Sequence, residues 1–128
     1  MSKNKLLLPF ILFFSLVLIL LPQSEASAEI DHINVALRKG EPYDSTKLWI
    51  YRNYKVTYRA EISKESNHSV IVTFKDPYGR VVKSTVVGRD NYVNGTVWFP
   101  ITGYYSLTLD CYGSNKDCIA DGTIVEFN

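Results

Sequence analysis

Cysteine and histidine are the scarcest chemistry-bearing residues of this 128-residue chain, with two of each. Cys111, Cys118, His32 and His68 do not make a zinc set, because no further cysteine and no paired histidine completes one. No serine stands in G-x-S-x-G, and no S-x-x-K occurs past Lys5. Neither H-E-x-x-H nor a glycine-rich phosphate loop is present. These absences remove the common signatures of serine hydrolases, metalloproteases and nucleotide-binding enzymes. Two acids on facing strands are the one hydrolytic arrangement left open, and sequence alone does not pair them. The chain reads as non-catalytic, with no cofactor and no metal.

An excess of charge of one sign is lacking too. Of 14 Lys and Arg, two (Lys3 and Lys5) precede the apolar N-terminal run, and of 13 Asp and Glu only Glu25 falls in the leader. The remainder is balanced. Nucleic-acid affinity rests on neutralised phosphates, so a nucleic-acid partner is not expected. The charges are nevertheless uneven: Arg38–Arg89 holds 11 basic and five acidic residues, and Asp90–Asn128 holds one and five. Solvated strand faces account for this simply. The other reading is a basic segment, including Lys55, Arg59, Lys75 and Arg80, attracted to anionic surfaces and released by salt.

Internal repeats, low-complexity stretches and linkers are also missing. Leu6–Leu21 ("LLLPFILFFSLVLILL") is an uncharged run that follows Lys3 and Lys5 and stops at Pro22. Ala26-Ser27-Ala28 offers the small-x-small pattern cut by a signal peptidase. The run falls short of the roughly 20 apolar residues that span a bilayer. Residues 1–28 are therefore expected to be a signal peptide, with an uncleaved anchor as the alternative. No cysteine follows the run to take a lipid, and the end of the chain has no hydrophobic tail. Residues 29–128 are expected to be one secreted domain without stable membrane insertion, near the lower size limit for a self-sufficient core.

What is present is alternation of period two. In "YKVTYRAEI", Tyr54, Val56, Tyr58, Ala60 and Ile62 face one way and Lys55, Thr57, Arg59 and Glu61 the other. "SVIVTF" groups Val70, Val72 and Phe74; "YSLTLDC" groups Tyr105, Leu107, Leu109 and Cys111. Weaker strands are predicted near Ile30–Leu37, Thr46–Arg52, Arg80–Val87, Thr96–Phe99 and Cys118–Phe127. "DPYG" (Asp76–Gly79) has the proline and glycine of a four-residue reversal and should join neighbouring antiparallel strands. "KESNH" and Asn94-Gly95 read as further turns. No stretch carries a helical period. About eight short strands with turns between them predict an all-β, antiparallel β-sandwich, jelly-roll or Ig-like.

"FPITGYYSLTL" (Phe99–Leu109), following a strand pair of the form "VTFKDPYGRVV" (Val72–Val82), resembles the late-strand pattern G-x-Y-x-L-x-L of bacterial pre-peptidase C-terminal and related jelly-roll modules. The resemblance covers the C-terminal half and implies a jelly-roll sandwich. The Asp-rich calcium loops of some such modules are not matched here.

Cys111 and Cys118 enclose "YGSNKD". In a secreted chain with two cysteines a disulfide is the default, here clipping the last hairpin; free thiols and a metal site are the alternatives. The gap does not fit the C-x-x-C redox motif. Asp110, Asn115, Asp117 and Asp121 lie around this loop without the ordered spacing of a calcium site, so a plain polar loop is expected.

Aromatic residues are the more informative feature: nine Tyr and two Trp. Tyr54, Tyr58 and Tyr105 are expected in the core or at its edge. Trp49, Tyr51, Trp98 and Tyr104 fall out of phase with it, and Tyr112 sits on the cysteine loop; burial of either Trp is the competing reading. Exposed rings of this kind suit stacking on sugars or protein interfaces. Trp49, Tyr51, Trp98, Tyr104 and Tyr112 are thus candidate contacts of an extracellular binding protein for a polysaccharide or cell-surface glycan. The alternative is a secreted protein-binding effector (an inhibitor, toxin or matrix component) using the loops "KGEPYDSTK", "SKESNHS" and "GRDNYVNG".

Overall fold

The computed structural model describes residues 28–98 and 100–128. The expected signal peptide, apart from Ala28, and Phe99 lie outside the described residues. Eight strands follow in order: β1 (Glu29–Leu37), β2 (Tyr43–Ile50), β3 (Lys55–Ile62), β4 (Val70–Lys75), β5 (Val81–Val87), β6 (Tyr92–Val97), β7 (Gly103–Cys111) and β8 (Ala120–Phe127). They form two four-stranded antiparallel sheets, β1-β8-β3-β6 and β2-β7-β4-β5. Strands are nested: β1 pairs with β8, β2 with β7, β3 with β6 and β4 with β5. That order is the double-Greek-key arrangement of a jelly roll, which decides between the two sandwich types expected.

The period-two pattern explains the packing. β3 buries Val56, Tyr58, Ala60 and Ile62; β4 buries Val70, Val72 and Phe74; β7 buries Tyr105, Leu107, Leu109 and Cys111. Burying a side chain such as Leu107 is worth roughly 1.5–3 kcal/mol. The centre of the core is an aromatic stack. Phe74 lies 4.5 Å from Tyr58 of the facing sheet and 5.5 Å from Tyr105 beside it, centroid to centroid. Burial raises the pKa of both tyrosines above the ordinary phenol value, in Tyr105 against the lowering effect of an N–H donated by Ile101.

Several local expectations are corrected. Asn94-Gly95 is no turn; it lies inside β6, opposite Arg59 and Tyr58. Gly95 is there because a Cβ would come within 2.6 Å of the Tyr58 ring. The glycine makes room for a core aromatic, and β6 begins at Tyr92, not Thr96. Likewise β2 begins at Tyr43 and stops at Ile50, and β3 begins at Lys55, so that Tyr54, half-buried at the core edge, stands in the bend before it. "DPYG" does join β4 to β5. Gly79 donates to the Asp76 carbonyl at 3.0 Å, and the Asp76 carboxylate accepts the Tyr78 and Arg80 N–H groups at 2.9 and 3.0 Å.

Cys111 and Cys118 form a disulfide with Cα atoms 5.6 Å apart. It clips no hairpin. Cys111 ends β7 in one sheet, while Cys118 precedes β8 in the other. The bridge therefore closes an arch between sheets, with both cysteines buried.

Candidate functional site

The outer face of the β2-β7-β4-β5 sheet is ordered into rows by strand register. Trp49 stands beside Tyr104, Lys47 beside Ser106 and Ser45 beside Thr108. Across β7, Ser106 meets Lys75 and Thr108 meets Thr73; Thr73 in turn meets Ser84 of β5. Core neighbours fix which way these side chains point. Leu48 and Ile50 are buried, so Trp49 must face out, and Tyr104 does so because Tyr105 is buried.

Trp49 and Tyr104 meet edge to face with centroids 5.0 Å apart, and Tyr51 packs on the other side of Trp49 at 6.2 Å. The three rings are 41, 50 and 56% exposed, so they form one open platform. Lys47 Nζ lies 4.8 Å from the Tyr104 ring centroid, within cation–π range. Tyr51 lies just past the end of β2, and its backbone N–H donates to Oε2 of Glu126 at 2.8 Å. Glu126 belongs to β8 of the opposite sheet and is only 2% exposed, so the core holds one edge of the platform in place. Arg52 N–H donates to Thr102 Oγ1 at 2.9 Å, tying the same turn to the segment before β7.

Two of the five candidate residues lie elsewhere. Trp98 is exposed at the end of β6, on the other sheet, where Lys55 Nζ sits 5.0 Å from its ring and 4.9 Å from that of Phe127. Tyr112 is on the 3-10 turn after β7, at the far end of the sandwich from the platform. Neither Trp is buried, against the competing expectation. Sequence reasoning missed Tyr78. It stands exposed in the Asp76–Gly79 turn, whose Pro77 occupies the space that a side chain at Gly103 would need. Its signal in the sequence was a tyrosine within the Asp76–Gly79 reversal. Lys47 was missed as well, since nothing local in the sequence places it over Tyr104.

The polar groups around the disulfide are used within the fold. Asp117 pairs with His68 Nδ1 at 2.6 Å, Asp121 with Arg38 at 2.9 Å, and Asn115 donates to the Tyr112 carbonyl at 2.7 Å. His68, half-buried in the bend before β4, is thus held by a hydrogen bond to Asp117. Cys111, Asp117 and Cys118 converge, but both sulfurs are in the disulfide. Three carboxylates, from Glu61, Asp90 and Asp121, line an open groove of 350 Å³ with Tyr92, away from the aromatic platform.

No family model matches the chain, and no curated protein sequence does. Solved structures resemble it in shape. They include PliG of Aeromonas hydrophila, a periplasmic inhibitor of g-type lysozyme (12% identity, 82% of this chain and 90% of that one, TM-score 0.48). Another is the pre-peptidase C-terminal domain of a collagenase from Bacillus anthracis (12%, 75% and 85%, TM-score 0.46). A third is the CBM36-1 domain of a xylanase from the hindgut metagenome of Trinervitermes trinervoides (16%, 81% and 91%, TM-score 0.41). The pre-peptidase C-terminal and jelly-roll modules are those that the Phe99–Leu109 motif resembles.

Proposed function

We propose that this chain is a secreted, non-catalytic binding protein that recognises a polysaccharide or cell-surface glycan by stacking sugar rings on Trp49, Tyr104 and Tyr51. The observation that carries it is the platform itself. Three exposed aromatic side chains from two strands and a turn meet in series on one sheet face, beside the row of Lys47 and Ser106. Large rigid rings with polar tips bury area at small entropic cost, and Ser106 in the next row, with Ser45 and Thr108 in the row beyond it, supply hydrogen-bonding groups. The disulfide and the apolar leader support an extracellular location.

A protein-binding effector is the alternative reading. About half of each of two of its three nominated loops is strand, since Tyr43–Lys47 belongs to β2 and Tyr92–Gly95 to β6. That leaves Ser63–Ser69 as the main irregular segment for such contacts. The test is co-sedimentation of the oxidised protein with insoluble polysaccharides and cell-wall preparations, following Trp fluorescence. Trp49→Ala and Tyr104→Ala are expected to lose binding at least tenfold while melting within a few degrees of the parent. A large loss of stability with unchanged binding would mark the rings as structural and reject the platform.

A further inference from the structure

The row next to the aromatic platform carries charge of one sign. Lys47, Ser106 and Lys75 are register neighbours on three adjacent strands, so the two lysine backbones are two strand spacings apart, about 10 Å. The aromatic pair Trp49–Tyr104 lies on one side of this row. On the other lies the hydroxyl row Ser45, Thr108, Thr73 and Ser84, with Ser45 Oγ 2.9 Å from Thr108 Oγ1 and Thr73 Oγ1 3.3 Å from Ser84 Oγ. None of the residues in these three rows is a carboxylate.

The opposite sheet is built differently. There Arg59 is bound to Glu61 at 2.6 Å, and Asp121 takes Arg38. Among the described residues neither Lys47 nor Lys75 has a carboxylate partner. Lys47 is oriented instead by the Tyr104 ring. A ligand lying along the strands from the platform toward the other end of the sheet would meet the rings first, then the row in which the Lys47 and Lys75 backbones flank Ser106, then the hydroxyl row.

Resting on the stacking reading above, we propose that the ligand is an anionic polysaccharide. One pyranose stacks on Trp49, with the perpendicular Tyr104 ring at its edge, and the carboxylate of a uronic acid unit lies in the next row, between the Lys47 and Lys75 positions. Charge-assisted bonds at an exposed site are worth little each, but two of them beside a stacked sugar set a preference of roughly tenfold.

The matched probes are polygalacturonate and its fully methyl-esterified form, which share a backbone and differ in charge. Affinity electrophoresis and Trp emission titrations at low and high salt read out binding. The expected result is about tenfold tighter binding of the acid form at low salt. A Lys47→Gln/Lys75→Gln variant with an unchanged melting temperature should lose that preference and still bind the ester. Trp49→Ala should lose both. Equal affinity for the two polymers, unaffected by the lysine changes, would overturn the charge assignment and leave the glycan platform standing. Binding to neither polymer, with no Trp response to neutral polysaccharides either, would overturn the platform and this inference with it. Binding to polygalacturonate that survives Trp49→Ala and is matched by polyglutamate would be simple charge attraction, and would overturn both.

Discussion

Glu126 is a buried carboxylate whose recorded bond is to one backbone N–H, that of Tyr51. A hydrogen bond to a charged group contributes roughly 1.5–3 kcal/mol when its partner would otherwise be left bare. Glutamine keeps an acceptor in the same place; alanine does not. Glu126→Gln is therefore expected to bind like the parent, and Glu126→Ala to lose several-fold in the glycan binding proposed above as the Tyr51 turn loosens. Titrations on both variants with a melting check separate positioning from unfolding. Asp76 works at the same scale. Partial burial pushes its carboxyl upward, but hydrogen bonds from the Arg80 backbone and side chain and from Tyr78 outweigh this and hold it below the ordinary value of 3.8. A depressed folded pKa stabilises fully above the unfolded value and is lost as pH falls through the folded one. Urea unfolding midpoints should drop on acidification below about pH 4, and Asp76→Asn should flatten that part of the slope.

Among the elements, β5 is the most exposed edge, with Val81, Val82 and Val86 all open to solvent. A bare, valine-rich edge invites pairing with another chain. Two devices oppose it. The register shifts between Phe74 and Lys75, leaving Val82 as an extra residue, and Lys83 sits opposite buried Phe74. Lys83→Val should increase self-association, seen by light scattering at concentrations where the parent is monodisperse, with little change in melting temperature. β6 shows how far an element can be read from its residues. Alternation located β3, β4 and β7 because one face is buried and the other wet. It failed at Asn94-Gly95, where a pair typical of turns serves the ring of Tyr58. Gly95→Ala should cost on the order of 1–3 kcal/mol by overpacking, measurable by urea unfolding. The site was legible only in part. Phase along β2 and β7 marked Trp49, Tyr51 and Tyr104 as outward. Their meeting depends on the β2–β7 register, which no local pattern encodes. The same is true of the separation of Trp98 and Tyr112 from them.

For the whole molecule, the disulfide and the platform occupy opposite ends of the sandwich. Closing a loop of this length removes unfolded-state entropy worth roughly 2.5 kcal/mol, a large part of the ~5–15 kcal/mol a small domain holds. Reduction, or Cys111→Ser with Cys118→Ser, should lower the melting temperature markedly while leaving the proposed glycan binding intact in the fraction that stays folded. The nested pairing has a further consequence, in time instead of energy. Only the β4–β5 pairing is local; β3–β6, β2–β7 and β1–β8 each join segments progressively farther apart along the chain. Pairings of this kind make for slow folding, because each loop must close before its contacts form. The Asp76–Gly79 reversal is then the natural starting point, with the sandwich zipping outward from it. Substitutions at Asp76 should slow refolding, whereas substitutions in β1, the last strand to dock, should act mainly by hastening unfolding.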